Sequence, residues 1–277
     1  MSGGPGRGVA ASMDAAALAP LRARVAALAS VAPAAPCPPL RIGGQDCGRM
    51  QDFAVRHFLA TPGWGLREVD GAFVPETDAD GRAARDACLR RAAHSLLAAG
   101  LSGPWRDEEL DVRAPLEGGV LAVVDRSAVR ALGITTHSVH VNGYAPDGRI
   151  VVARRAATKR VDPGLWDTLA GGIVAAGEDA VTALAREAWE EAGLRVEGTA
   201  PRRVGRVHVQ RPIPEGHLYE WVDIWDLVVP DPSVLANRDG EVDAIELRTV
   251  DEALAGIAAG EFTVEASLAI LDSLALR

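Results

Sequence analysis

The stretch that decides the fold is Gly171–Leu194, GGIVAAGEDAVTALAREAWEEAGL. Ala180–Ala192 is a run of strong helix formers, with Asp179 placed as an N-cap and Gly193 as the C′ residue that ends a helix. On such a helix Glu187, Glu190 and Glu191 are three and four residues apart, so their carboxylates converge on one face. Val181, Leu184, Ala185, Ala188 and Ala192 form a neighbouring apolar stripe that can seat the helix on a core. Like charges this close repel by roughly 0.2–0.5 kcal/mol per pair on an exposed helix. A hard cation, Mg²⁺ or Mn²⁺, reverses that sign, because it takes oxygen ligands and bridges to phosphate. An acidic helix face taken alone reads more simply as a solvated face.

From Gly172 the pattern runs G, five residues, Glu178, seven residues, then REAWEEAGL from Arg186. This resembles the Nudix box, the signature of enzymes that hydrolyse a diphosphate linked to another moiety. Every charged position is present, and Ala188 replaces the usual bulkier aliphatic residue. The resemblance implies an α/β fold, a Nudix α/β/α sandwich with a mixed sheet. It implies that Glu187, Glu190 and Glu191, with the backbone carbonyl of Gly171, are metal ligands for Mg²⁺ or Mn²⁺. Gly172, Glu178, Arg186 and Gly193 are the structural members of the box, with Glu178 and Arg186 expected as an ion pair that holds the loop to the helix.

The 277 residues exceed one typical domain. A net charge of −9 with no basic stripe argues against a nucleic-acid binder, which needs cations to neutralise phosphate. Cys37, Cys47 and Cys88 stand in no CxxC spacing, which suits a reducing, cytoplasmic setting without a disulfide framework. Ala10–Ala35 is Ala-rich but interrupted by Asp14, Arg22, Arg24, Pro20 and Pro33, so neither a membrane span nor a signal peptide is expected. Homodimerisation is left open.

Three segments follow from the punctuation: 1–36, flexible and then helical; 37–133, a smaller α+β domain; and 134–277, the Nudix hydrolase domain. Pro33–Pro39 reads as a hinge, Asp70-Gly71 as a hairpin turn and Gly81–Gly100 as the clearest helix of the first domain. That domain offers no cluster of catalytic residue types, and His57 and His94 read as isolated. In the second, Thr136–Tyr144 alternates like a half-buried strand and Thr249-x-x-Glu252 reads as a capping box.

HVNGY at 140–144, VARRAATKRVDPG at 152–164, NRDGEVD at 237–243, GEF at 260–262 and a WRDEEL segment at 105–110 narrow the resemblance. Together they look like the Nudix group related to thiamine pyrophosphokinase fusions, whose N-terminal part is a domain of unknown function. That group implies hydrolysis of thiamine diphosphate, or its oxidised analogues, to the monophosphate plus phosphate. Asp162 stands where the group tends to have tyrosine, and Thr263–Ala266, TVEA, replaces a basic-Pro-Asn-Cys segment.

Catalysis is assigned to Glu187, Glu190 and Glu241. Glu241 is the candidate that the resemblance implies for a carboxylate outside the box that binds metal or deprotonates water, against a plain exposed loop acid, with Asp239 and Asp243 as weaker alternatives. Arg154, Arg155 and Lys159 are candidates to bind the distal phosphate, although a solvated basic loop has the same composition. Trp166, Tyr219, Trp221 and Trp225 are mostly core or sheet residues that could include a stacking platform. The substrate is a small-molecule diphosphate. Alternatives are a nucleoside diphosphate derivative (ADP-ribose-like or a dinucleotide) and a non-catalytic ligand-sensing domain. An isopentenyl-diphosphate isomerase is disfavoured, because it needs a cysteine and none follows Cys88.

Overall fold

In the computed structural model, residues 15–197 and 199–277 are described. The chain opens with helix α1 (Ala15–Leu28), then β1 (Pro39–Ile42), β2 (Gln45–Arg49), α2 (Asp52–Ala60), β3 (Leu66–Val69) and β4 (Ala72–Pro75). Helix α3 (Arg82–Ala98), β5 (Glu109–Val112), β6 (Ala122–Asp125) and the short α4 (Val129–Leu132) complete the first unit. Its strands form a four-stranded sheet, β2-β1-β4-β3, and a separate β5-β6 pair. The Asp-Gly turn between β3 and β4 has positive φ at both Asp70 and Gly71, as the hairpin signal implies. Gln45–Arg49 is a strand that the sequence did not announce, because only Cys47 of its side chains is buried.

The second unit holds β7 (Thr136–Tyr144), β8 (Ile150–Arg155), β9 (Trp166–Asp167), β10 (Ala170–Ile173), α5 (Ala180–Ala192), β11 (Arg202–Ile213), β12 (Gly216–Val228), β13 (Val242–Arg248), α6 (Val250–Ala259) and α7 (Val264–Ala275). The sheet is seven-stranded and mixed, in the order β11-β12-β7-β8-β13, with β10 paired to β7 and β9 to β8. β7 and β12 run parallel, and the remaining pairs are antiparallel.

Helix α5 covers one face through Ala183, Leu184, Ala188 and Ala192 against Val139, Val141 and Val151. The other face is covered by α6, α7 and α1, which pack Ala253, Ile257, Leu268 and Leu271 with Leu18 and Val25 against Ile150, Val152 and Ile224. This is the α/β/α arrangement expected. Helix α1 belongs to this second core, although it precedes the first unit in sequence. Arg22 pairs with Asp272, and Val31 N–H donates to the carbonyl of Gln210 at 2.8 Å. The mobile start expected before the helix lies outside the described residues.

Two local expectations are corrected. Val181 is 50% exposed, and Ala183 takes its place in the apolar stripe of α5. Strand β7 is buried on both faces rather than half-buried, because its polar positions point into hydrogen-bonded interior sites. Asn142 donates to Asp226 at 3.1 Å and to the carbonyl of Ala269 at 3.0 Å, and His140 meets Thr168. Periodicity cannot see a polar residue that is buried with its partners.

Asp223 on β12 is the clearest case of such a partner set. Its carboxylate accepts from His137 at 2.8 Å, Arg203 at 2.6 Å and Arg206 at 2.8 Å. Burial opposes ionisation, but these donors outweigh it and hold the carboxyl well below the usual carboxylate range. Asp223→Ala is expected to destabilise the protein by about 1.5–3 kcal/mol, since it removes the buried, charged acceptor that His137, Arg203 and Arg206 share. The depressed folded-state value means that the stabilisation is complete above about pH 4 and lost as pH falls below it. Thermal melts between pH 6 and pH 2.5 should therefore fall more steeply for the wild type than for Asp223→Asn.

Candidate active site

A cleft of about 690 Å³ runs between the two units. One wall is the box, with Gly171, Gly172, Glu178, Arg186, Glu187 and Glu190. Helix α5 is built as its sequence implies. Asp179 accepts from Thr182 N–H at 2.8 Å, and Gly193 adopts the left-handed conformation. Arg186 joins the loop before the helix to the helix itself. It donates to both oxygens of Glu178 at 2.9 Å and to the carbonyl of Ile173 at 3.0 Å. A further donor reaches Glu187 at 2.7 Å and Glu190 at 3.3 Å.

The close approach of β10 to α5 explains the glycine at 172. Gly171 N–H donates to Glu191 at 2.9 Å, and a Cβ on Gly172 would lie 1.9 Å from a Glu187 carboxylate oxygen. Gly172→Ala is expected to displace Glu187 and lower turnover at least about tenfold, an effect of the kind seen when a positioned catalytic group shifts by an ångström. The melting temperature should stay within a few degrees, because the atom struck is the end of a flexible side chain. Steady-state kinetics beside a melting curve checks both halves.

The tightest carboxylate grouping is not the three box glutamates. Ligand atoms of Glu191, Asp239 and Glu241 all lie within 4.8 Å of one another. The loop after β12 is folded back onto the C-terminal end of α5 to allow this. Arg238 N–H donates to the carbonyl of Glu190 at 3.0 Å, and Ala236 N–H to that of Ala192 at 3.0 Å. Asn237 then turns the chain, accepting from Asp239 and Gly240 at 3.2 Å, and Asp239 accepts from Glu241 N–H at 2.8 Å.

Lys159 brings its ammonium to Glu241 and lies 3.9 Å from Glu191. Burial pushes the Glu191 carboxyl up to about 8 against the pull of Lys159. Burial also raises Glu187, whereas Lys159 outweighs burial at Glu241 and holds it below its ordinary value. A carboxylate whose ionised form burial disfavours, two further acids within reach and an all-oxygen donor set fit a hard divalent ion.

The more deeply buried wall carries His140, Arg155, Asp167, Arg211, Glu220 and Glu265. Burial works against the ionised Asp167, yet His140 and Arg155 hold its carboxyl well below the usual range. Arg155 donates to Asp167 at 3.0 Å, and Arg211 pairs with Asp162 and with Glu265 at 3.1 Å. Glu220 accepts from Thr136 at 2.8 Å and faces Arg130 at 3.6 Å. Asp162 and the TVEA segment, the two departures noted in the sequence, therefore meet on one arginine.

Of the remaining expected site residues, Arg155 and Lys159 line the cleft, and Arg154 does not. Arg154 is exposed and donates to the carbonyl of Gly164 at 3.2 Å. Asp243 accepts from Ala157 N–H at 3.2 Å and so fixes the loop before the box. None of the cleft-lining residues is Phe, Tyr or Trp, and the one aromatic ring is the buried imidazole of His140. Trp166 instead lies under Arg248, while Tyr219 and Trp221 line a separate, smaller hollow near β1 and β2.

The first unit was read as free of site residues. It supplies Arg106, Glu108, Arg126 and Arg130 to the cleft. The WRDEEL segment was the available signal, since Arg106 and Glu108 face this cleft whereas Trp105, Asp107 and Glu109 line a neighbouring hollow.

Residues 136–266 match the NUDIX domain family. These residues form a Nudix domain. The chain is 29% identical over 185 residues to the Arabidopsis thaliana protein named Nudix hydrolase 20, chloroplastic, covering 61% of this chain and 46% of that protein. It is 40% identical over 87 residues to an uncharacterized Nudix hydrolase of Streptomyces coelicolor, covering 31% of this chain and 48% of that one. The chain thus spans about half the length of these curated relatives. Among solved structures, DR0079 of Deinococcus radiodurans is similar at 25% identity with a TM-score of 0.49, covering 61% of this chain and all of that one. No described helix is long and apolar enough to cross a membrane.

Proposed function

We propose that this protein hydrolyses the diphosphate linkage of a small organic diphosphate with the help of Mg²⁺ or Mn²⁺. The observation that carries the reading is the convergence of Glu191, Asp239 and Glu241 beside the box carboxylates in a cleft large enough for such a substrate. The ion would be held by Glu191 and Glu241, with Asp239, the box carboxylate Glu187 and the Gly171 carbonyl as further oxygen donors. When bound it supplies charge neutralisation at phosphorus and lowers the pKa of water.

The chain's own groups do the rest. Lys159 keeps Glu241 ionised and ready as a ligand, and Arg186 fixes the box loop and steers Glu187. Glu190, with a side chain 43% exposed at the cleft edge, takes the proton as water oxygen bonds to phosphorus and the bridging P–O bond breaks. Glu190→Gln is therefore expected to bind Mn²⁺ but lose turnover, whereas loss of binding in that variant would move Glu190 among the ligands.

The leaving group is read by hydrogen bonds and charge rather than by a stacking platform, because no Phe, Tyr or Trp lines the cleft. Glu220 and Glu265 beside Arg130 and Arg211 offer paired acceptors and donors to a heterocycle that carries amino groups and ring nitrogens. The pyrimidine of thiamine diphosphate has this pattern, in line with the sequence resemblance, and so does a purine nucleoside diphosphate derivative such as ADP-ribose. Phosphate or monophosphate release with Mg²⁺, scanned over thiamine diphosphate, its oxidised forms, ADP-ribose and dinucleoside polyphosphates, separates the two. Turnover of the thiamine compounds alone supports the first reading, and turnover of nucleotides alone replaces it with the second. No turnover of any, by folded protein with bound metal, sinks the hydrolase assignment in favour of ligand sensing.

A further inference from the structure

The cations that the Nudix domain brings to the cleft are largely engaged by protein. Arg186 is divided among Glu178, Glu187, Glu190 and Ile173, and Arg155 is held by Asp167 and the carbonyl of Val161. Lys159 is bound to Glu241, and Arg211 to Asp162 and Glu265. Arg155, Arg186 and Arg211 cannot turn to a phosphate without leaving buried Asp167, Glu187 or Glu265 unpaired, a loss of several kcal/mol, and Lys159 would give up its ion pair with Glu241.

Two guanidinium groups from the first unit differ. Arg106 has a side chain 46% exposed, and its carboxylate neighbour, Glu241, is 3.9 Å away, beyond hydrogen-bond reach. Arg126 places a single terminal nitrogen on Glu108, at 2.8 and 3.1 Å, so its other donors are uncommitted among the described contacts. Both line the cleft, and the charge of Arg126 is felt at Glu187 and at Glu241. Two forked donors at the rim of an acidic cluster suit an occupant that brings negative oxygens of its own.

We propose that Arg106 and Arg126 bind the non-bridging oxygens of the substrate's diphosphate, so that the N-terminal unit completes the active site rather than merely accompanying it. The proposal rests on the diphosphate reading above, and it assigns the first unit a role in substrate binding.

The test uses inorganic pyrophosphate with Mg²⁺ as probe, titrated calorimetrically into the full chain. Arg106→Ala and Arg126→Ala are each expected to weaken binding about tenfold or more, in line with a lost charge-assisted hydrogen bond. Arg126→Lys should fall between, because an ammonium keeps the charge but not the fork. Arg90→Ala, which breaks an exposed pair with Glu109, should bind as the wild type does. The KM for any diphosphate turned over should rise in parallel, with melting temperatures little changed.

Unchanged pyrophosphate affinity in the folded double variant Arg106→Ala/Arg126→Ala, or no binding by the wild type, overturns the proposal. Should Arg126→Ala unfold, the exposed Arg106→Ala decides alone. Arginine-dependent pyrophosphate binding by a protein that hydrolyses no diphosphate would remove the hydrolase reading and keep the clamp. Hydrolysis with KM unmoved would do the reverse.

Discussion

Glu241→Gln is expected to lower turnover by on the order of 10²–10⁴ while the melting temperature stays within a few degrees. The magnitude follows from position. Glu241 is one of three carboxylates brought within 4.8 Å, and it is the one that Lys159 holds ionised. A glutamine keeps the shape but carries no charge, so it neither holds a hard cation well nor pairs with an ammonium. The fold should tolerate the change. The Glu241 side chain is 36% exposed, and the loop that carries it is fixed by backbone contacts of Ala236 and Arg238 and by the Asn237 turn, none of which uses the Glu241 carboxylate. Turnover and a melting curve on the same preparation check it, and near-wild-type turnover removes Glu241 from the mechanism.

Gly133→Ala is expected to be the most damaging single change to stability, at about 3–5 kcal/mol, combining left-handed backbone strain with overpacking. Gly133 has φ +62°, and a Cβ there would lie 1.7 Å from the carbonyl oxygen of Arg49. That oxygen belongs to a backbone segment that cannot swing aside, since Arg49 N–H donates to the Gly133 carbonyl at 3.0 Å and Gln51 N–H to that of Ala131 at 3.0 Å. Gly133 also ends α4 and leads into β7, so it sets the junction between the two units. Denaturant unfolding checks the magnitude. Loss of cleft geometry should accompany it, because Arg126 and Arg130 lie just upstream of the joint.

How much of this was legible in sequence depends on the range of the interaction. The cap at Asp179, the stop at Gly193, the Glu178–Arg186 pair and the capping box at Thr249 are local, and each follows from residues within eight positions of one another. The role of the NRDGEVD loop was legible as a candidate only. Its placement beside Glu191 depends on a fold-back that binds the end of α5 some 45 residues away. Lys159 was a candidate for phosphate binding beside the alternative of a solvated basic loop, and its ammonium pairs with Glu241, a contact between residues 82 positions apart that no local pattern discloses.

The buried wall was legible only in Arg155, a named candidate, and in the HVNGY and TVEA segments. His140, Glu220 and Glu265 look like ordinary polar positions on strands and a helix until Asp167, Arg130 and Arg211 arrive beside them. The arginines of the first unit were missed for the same reason. Arg106 and Arg126 lie more than a hundred residues before Glu241, and only the packing of the two units, with Ile173 of the box sharing the first unit's core, brings them to the cleft.

The central claim is that the cation site spans the box helix and the 237–241 loop. Mn²⁺ binding, followed by calorimetry or electron paramagnetic resonance, tests it most directly in the wild type, Glu191→Gln, Asp239→Asn and Glu241→Gln. Saturable binding by the wild type, lost in Glu191→Gln and Glu241→Gln and weakened in Asp239→Asn, is the expected result. Equal binding by wild type and both loop variants would place the ion elsewhere on the box and contradict the site described.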